Sequence, residues 1–372
     1  MNTYDVVIIG AGTAGLFLAR ELGKMKRKTL VLDRKANLLD FSFNTLSSFI
    51  NLKDFDLTED VVAQKLDRAI LYSKNFKRTV KGKAYILDKG KIHKELLAAI
   101  DPDYVSIQLQ VNIKELSKHQ TGEFKTAIDK KGKQYSGKIF VDASGTNGII
   151  SKQVGLQNKK TKLATGVEYN VKYQGQPNEG HLFIGKQYQG GYAWIFPLQN
   201  QRAILGFGTF DNSIVKDLKA RLHTILELPN IKKLVLKDND IAKGGSIPLT
   251  PVLDKFVIEN LVCVGDSVSQ VNPIAGEGYK FIFEAAQMAS KAIDTSLNKN
   301  DLTKLTSYES EWKYRFLLSY KRAKYSQLKL FRYSKNDILM DFLMLMAKLR
   351  SNSSIQKSLS GEFSKPKKSH TY

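Results

Sequence analysis

Hydrophobic and polar positions divide the chain into blocks of different period. Val6-Val7-Ile8-Ile9 is a continuous apolar run, the pattern of a strand buried on both faces. Leu16, Leu18, Ala19 and Leu22 then share one helical face, and Thr29-Leu30-Val31-Leu32 is a second apolar run. Ile139-Phe140-Val141 and Leu261-Val262-Cys263-Val264 read as two more buried strands, the second followed by a helical stretch from Phe281 to Ile293. Residues 166–254 alternate short strand-like pieces with turns. Within them Gly191-Tyr192-Ala193-Trp194-Ile195-Phe196-Pro197 places Tyr192, Trp194 and Phe196 on one face of a strand. The chain is helical and basic from 301, and Ser/Lys-rich from 351. These blocks predict an α/β protein with a Rossmann-type cofactor domain over 1–165 and 255–300. A β-sheet substrate domain over 166–254 and C-terminal helices over 301–350 follow, with a disordered basic tail over 351–372.

The turns between blocks carry the candidate chemistry. Gly10-Ala11-Gly12-Thr13-Ala14-Gly15 joins the first strand to the first helix, and Asp33 ends the second strand. This is a βαβ unit with a GxGxxG fingerprint and an acidic residue about 20 positions on. Gly10 permits the tight turn, Gly12 admits a pyrophosphate to the backbone, and Gly15 lets helix and strand pack closely. The helix N-terminus offers unpaired N–H groups to phosphate, and Asp33 can accept from ribose hydroxyls. The motif specifies a dinucleotide without separating FAD from NAD. A small, polar turn, Asp142-Ala143-Ser144-Gly145, ends the third apolar strand. Gly265-Asp266 ends the fourth, ahead of Asn272-Pro273-Ile274-Ala275-Gly276-Glu277-Gly278 and the next helix. Asp266 is placed to hold a ribityl hydroxyl, and the glycine-flanked turn opens a helix toward a polarised ring.

In Gly265, Asp266, Pro273, Gly276 and Gly278, with the Asp142–Gly145 turn, the chain resembles the FAD-dependent oxidoreductases of the p-hydroxybenzoate hydroxylase type. Ile86-Leu87-Asp88-Lys89-Gly90-Lys91-Ile92-His93 looks like that group's Asp-Arg-x-x-Phe-Asp segment. Lys89 stands where an arginine commonly meets the FAD phosphates, keeping the charge and losing the planar fork. The resemblance implies FAD, held by Gly10, Gly12, Thr13, Ala14, Gly15, Asp33, Lys89, Val111, Asp266, Gly276, Gly278 and Tyr279. Tyr-x-Trp-x-Phe-Pro over 192–197, followed by Gly206-Phe207-Gly208, is similar to the substrate-lining motif of the geranylgeranyl reductases. The Asn272–Gly278 turn is also similar to theirs. That likeness implies hydride transfer from reduced flavin to double bonds of a prenyl lipid lying against Tyr192, Trp194, Phe196, Pro197, Gly206 and Gly208. It departs from that family at Phe43-Asn44-Thr45-Leu46-Ser47-Ser48, which lacks the Cys-Gly pair often found beside the flavin. No catalytic acid is assigned. The alternatives are a flavin-dependent monooxygenase or halogenase, and a redox-neutral isomerase of the lycopene cyclase kind.

Composition narrows the rest. The chain has 372 residues, 42% hydrophobic, which excludes wholesale disorder. One cysteine, Cys263, excludes a disulfide framework, and five scattered histidines give no metal-ligand spacing. No run is apolar enough to span a bilayer, and the first strand leaves no room for a signal peptide, so a cytoplasmic protein is expected. There is no second GxGxxG, so the electron donor, NAD(P)H or ferredoxin, is expected to bind transiently. Against 36 Asp and Glu stand 58 Lys and Arg, a net charge of +22, and the last 72 residues hold 15 of these bases with 6 acids. There Trp312, Phe316, Tyr320, Lys321, Lys324, Leu328, Phe331 and Arg332 mix aromatics and cations at roughly helical spacing. Either an anionic membrane surface or a helix packed on the sheet with a solvated basic back accounts for them; no nucleic-acid module is present.

Overall fold

The computed structural model describes residues 3–157, 162–238, 242–248 and 252–362. The apolar runs pair as parallel strands. Tyr4–Ile9 lies between Thr29–Leu32 and Gln134–Asp142, with Val105–Gln108 beyond the former and Leu261–Cys263 beyond the latter. In register, Ile9 stands opposite Leu32 and Asp142, and Asp142 opposite Cys263. Connections run outward in both directions from Tyr4–Ile9, and ligands of such sheets bind at the carboxyl ends of strands where the order reverses. All three glycine-bearing turns therefore open at one edge. Helices Thr13–Lys24 and Tyr279–Lys299 pack together, with Leu16, Phe17 and Phe283 fully buried in the core of this lobe.

Among the described residues the second sheet has nine strands. Leu163–Tyr173, Arg202–Thr209, Gly191–Leu198 and Glu179–Phe183 form its antiparallel centre, and Lys243–Pro248 joins Leu163–Tyr173. Residues 45–88, expected in the cofactor domain, instead supply three of its strands: Thr45–Ser48, Val62–Tyr72 and Lys77–Asp88. Their entry is a parallel pairing of Arg68–Tyr72 with Glu179–Phe183, about 110 residues apart, which no local pattern announces. One face of the sheet packs Val171, Leu205 and Phe207 against Leu222 and Ile225 of helix Leu218–Leu226. The other face turns toward the cofactor lobe.

Helix Thr306–Tyr333 buries Tyr308, Trp312, Phe316 and Tyr320, spaced four apart, against Phe256 and Phe281. Trp312, Phe316 and Tyr320 are thus core residues, as a packed helix with a solvated basic back requires, and not membrane-facing aromatics; the spacing is that of a buried helix face. The expected disordered tail begins with a helix, Asn352–Leu359, capped where Ser351 Oγ accepts from Ser354 N. Asn272 Nδ2 donates to Leu359 O at 3.1 Å, and Arg315 pairs with both Glu284 and Glu362. Residues 363–372 of that tail lie outside the described residues.

Candidate functional site

Three turns converge where the parallel strands end. Gly10 has φ +108°, and a Cβ there would stand 2.4 Å from Ala143 O; one on Gly15 would stand 1.9 Å from Gly10 O. These two glycines are required by backbone contacts within the fold. Gly12 is different: a Cβ on it would meet nothing within 4 Å, so its side faces open space. Helix Thr13–Lys24 starts there without a side-chain cap or an acidic residue in its first turn, leaving its N–H groups for an anion. Asp33 Oδ2 accepts from Ala11 N at 2.7 Å and Oδ1 from Lys35 N at 2.8 Å, and Val111 N donates to Asp33 O at 2.9 Å. An open glycine face, a bare helix N-terminus and an acidic strand end fit the diphosphate and ribose of a dinucleotide.

The other turns are fixed from beneath. Asp142 accepts from Ser144 N, Ser144 Oγ, Ile150 N and Ser151 N at 2.6–3.1 Å, which shapes the Asp142–Gly145 turn. Gly265 N donates to Gln270 Oε1, whose amide donates to Tyr308 OH, and Tyr308 donates to Cys263 O. Ala14 lies under Gly265, 3.2 Å from where a Cβ would be. Thr13 Oγ1 bonds to Tyr279 OH at 2.9 Å and His93 Nε2 at 3.1 Å, joining three helix starts. His93, absent from the expected site, is 3% exposed, and burial beside Lys89 and Lys35 holds its pKa near 4, so it is neutral at pH 7.

Beside this cradle lies a cavity of about 260 Å³. Lys89, Tyr192, Trp194, Phe196, Gly208, Asp266, Gly276, Gly278 and Tyr279, nine of the residues proposed from sequence, line it together. Burial pushes Asp266 up to about 6 and pushes Lys89 down, each shift opposed by the charge of the other. Phe43, Thr45 and Ser47 also line it, so two hydroxyls of the 43–48 segment stand at its wall. The aromatic strand faces inward as its alternation predicts. Tyr192 and Trp194 centroids are 5.7 Å apart, and Trp194 and Phe196 are 6.1 Å apart at 27°. Tyr192 OH donates to Ala275 O at 2.6 Å, and burial raises its pKa to about 12.

Two of the six residues expected to line the substrate, Pro197 and Gly206, do not line this cavity. Pro197 is buried on the opposite side of the strand, because it falls on the other parity from Tyr192, Trp194 and Phe196. Gly206 pairs with Trp194 across the sheet and lies beneath the indole, where a Cβ would stand 2.1 Å from Trp194 Cε2. Its role is to let that ring lie flat.

A second cavity of about 220 Å³ shares Ser47, Tyr192, Phe196, Ala275 and Glu277 with the first. Its remaining wall is mainly apolar: Phe49, Leu66, Leu71, Val80, Leu182, Ile184 and Ile274. Leu330 and the terminal-helix residues Gln356 and Leu359 close it. Glu277, on the shared wall, accepts at Oε1 from Ser48 Oγ at 2.8 Å and from Lys280 N at 3.1 Å. Its Oε2 is buried without a hydrogen-bond partner among the described residues, and burial raises its pKa. In the sequence Glu277 is only one member of a glycine turn; its burial and its place between two cavities depend on distant segments.

The fold is that of the flavoproteins of the p-hydroxybenzoate hydroxylase type, and the cradle fits a dinucleotide cofactor. The chain belongs to the family described as lycopene cyclase protein, whose pattern it matches over residues 5–342. The likeness to geranylgeranyl reductases read from the motifs is borne out. The chain is 27% identical over 332 residues to digeranylgeranylglycerophospholipid reductase of Methanococcus aeolicus, spanning 85% of this chain and 83% of that one. Its structure is similar to that of a geranylgeranyl bacteriochlorophyll reductase-like protein from Thermoplasma acidophilum, with TM-score 0.84, 22% identity and 98% and 97% of the two chains covered. A probable FAD-dependent monooxygenase from Pseudomonas aeruginosa shares the fold at TM-score 0.72 and 16% identity, over 90% of this chain and 98% of that one.

Proposed function

We propose that the protein is an FAD-dependent reductase of carbon-carbon double bonds in a prenyl lipid. The observation that carries this reading is the apolar second cavity, which adjoins the cavity beside the cradle across Tyr192, Phe196 and Glu277. A hydrocarbon chain gains about 25 cal/mol per Å² on entering such a wall, whereas a polar aromatic substrate does not need it. Gly12, the Thr13–Lys24 N-terminus and Lys89 would hold the FAD diphosphate, Asp33 its adenosine ribose, and Asp266 its ribityl chain. Bound reduced flavin supplies a hydride equivalent. The Tyr192 and Trp194 faces orient the alkene and stabilise positive charge developing on it. Glu277 holds a proton at Oε2 and delivers it to the alkene carbon, and water restores it. Electrons arrive from NAD(P)H or ferredoxin bound transiently, and the protein works at the periphery of the membrane that holds its substrate.

The test is anaerobic. Protein photoreduced in the absence of oxygen and mixed with a geranylgeranyl phospholipid should regain oxidised flavin absorbance within one turnover. Reoxidation only by oxygen, with halide or an aromatic acceptor consumed, would favour the monooxygenase or halogenase reading. The family's description favours one further reading, a redox-neutral isomerase, for which the flavin would stay reduced while the substrate changed.

A further inference from the structure

The helix Asp337–Lys348 carries an apolar surface that the fold does not cover. It touches the protein through Met340, Asp341 and Met344, which are buried. Ile338, Leu339, Phe342, Leu343, Leu345 and Met346, and Leu349 just after it, are 37–80% exposed. A solvated helix puts polar residues on its outer face; this one has apolar residues on both sides of its buried stripe. Its acidic residues are turned inward as clamps. Asp341 accepts from Ser73 Oγ, Asn75 N and Asn75 Nδ2 at 2.6–3.1 Å. Asp337 accepts from Lys186 N at 2.8 Å and pairs with Lys74 at 3.5 Å.

Those clamps fix the helix to the ends of strands that run on into the walls of the apolar cavity, Val62–Tyr72 through Leu71 and Glu179–Phe183 through Leu182. The helix before it supplies Leu330 to that cavity and the helix after it supplies Gln356 and Leu359. Lys186 follows the lining residue Ile184 by two positions, and the helix also packs on strand Lys77–Asp88, which contributes Val80. The exposed apolar surface and the apolar cavity are thus parts of one end of the molecule.

Charge selects the occupant. Residues 321–350 include eight Lys or Arg and only the two Asp already engaged by the protein. Lys74, Lys335, Lys348 and Arg350 are exposed around the helix. A second copy of a chain with net charge +22 would bring like charge to this face, while an anionic bilayer brings the opposite charge and an apolar interior. Twelve residues make a helix about 18 Å long, too short for a hydrocarbon core of about 30 Å, so it would lie in the interface.

We propose that helix Asp337–Lys348 inserts its Ile338, Phe342 and Leu349 side into the surface of an anionic membrane, seating the mouth of the apolar cavity at the lipid from which substrate is drawn. The proposal rests on the lipid-substrate reading above, but its test requires no turnover. Flavin-loaded protein is floated with vesicles of phosphatidylcholine, with or without phosphatidylglycerol and containing no prenyl lipid. The expected result is flotation with the anionic vesicles at low salt, about tenfold weaker in high salt. The triple variant Ile338→Asp, Phe342→Asp, Leu349→Asp should lose flotation about tenfold or more while retaining its flavin and its reoxidation by detergent-dispersed substrate. Should that variant fold poorly, Phe342→Trp in an otherwise intact chain should shift its emission to the blue on anionic vesicles alone. Absence of flotation at low salt, equal flotation of the triple variant, or an unshifted Trp emission would overturn the proposal. So would light scattering that shows a dimer which the triple variant dissolves. A failed reductase reading would show separately, as normal flotation without substrate-driven reoxidation.

Discussion

At the scale of single residues, the account turns on Trp194 and Glu277. The indole lies over Gly206, with Gly208 and Gly166 beside it at 3.3–3.4 Å from their would-be Cβ atoms. Gly206→Val should therefore lift the ring into the cavity, shift its fluorescence and reduce turnover about tenfold or more, with flavin content unchanged. Intact turnover with a shifted indole would show that the ledge is not used. For Glu277 the sign of the pH effect follows from its environment. Burial raises its pKa, so the proton-donating form persists above the usual carboxylate range and activity should fall as pH rises through the elevated pKa. Glu277→Gln should remove that limb of the pH profile and cost about 10²–10⁴ in rate without loss of flavin. A Gln variant with the unaltered pH profile would exclude Glu277 as the donor.

At the scale of elements, the terminal helix Asn352–Leu359 acts as a wall. Gln356 packs where a Cβ on Gly82 would stand 2.6 Å from its amide, and Leu359 completes the apolar cavity. Truncation after Arg350 should leave flavin binding intact and raise KM for a C20 chain more than for a short prenyl chain, measured by steady-state reoxidation. An equal rise for both would place the chain elsewhere. This helix also marks where legibility in the sequence stops. The Gly10–Gly15 turn, Gly265-Asp266 and the 272–278 turn were readable because each motif is covalently local and each strand beside it is a continuous apolar run. The aromatic ledge was readable from parity alone, and the same parity sets Pro197 aside. Residues 45–88 were misplaced because their membership of the second sheet depends on a long-range parallel pairing. Tail residues 351–362 looked disordered because they are polar, and they fold through Asn272, Arg315 and Gly82 on distant elements. His93 is visible in the sequence only as the end of the 86–93 segment, because only the fold brings it to Thr13 and Tyr279.

At the scale of the whole molecule, two sheets built from interleaved segments enclose one site, and their stability is linked to pH through a residue remote from it. His181 is 1% exposed, stacked among Tyr72 and Phe183, with Tyr173 OH at 2.8 Å and Tyr72 OH at 3.2 Å. Burial depresses its pKa to about 4, below the value near 6.5 of an unfolded histidine. The unfolded chain therefore takes up the proton first as pH falls, and stability is lost between about pH 6.5 and 4. The loss from this residue is about 2 kcal/mol at pH 5. His181→Asn should flatten the difference in urea midpoint between pH 7 and 5 by that amount, and parallel slopes would contradict the assignment. The central claim is that electrons held by the flavin end on carbon in a prenyl chain that enters from the apolar cavity. Mass spectrometry of the lipid after one anaerobic turnover of reduced protein tests it most directly. The account predicts a gain of two hydrogens for each flavin reoxidised, and both should be deuterium when the protein is reduced in deuterated water, because the N–H of reduced flavin exchanges with solvent. A product of unchanged mass over a flavin that stays reduced, or one carrying oxygen or halogen, would contradict it.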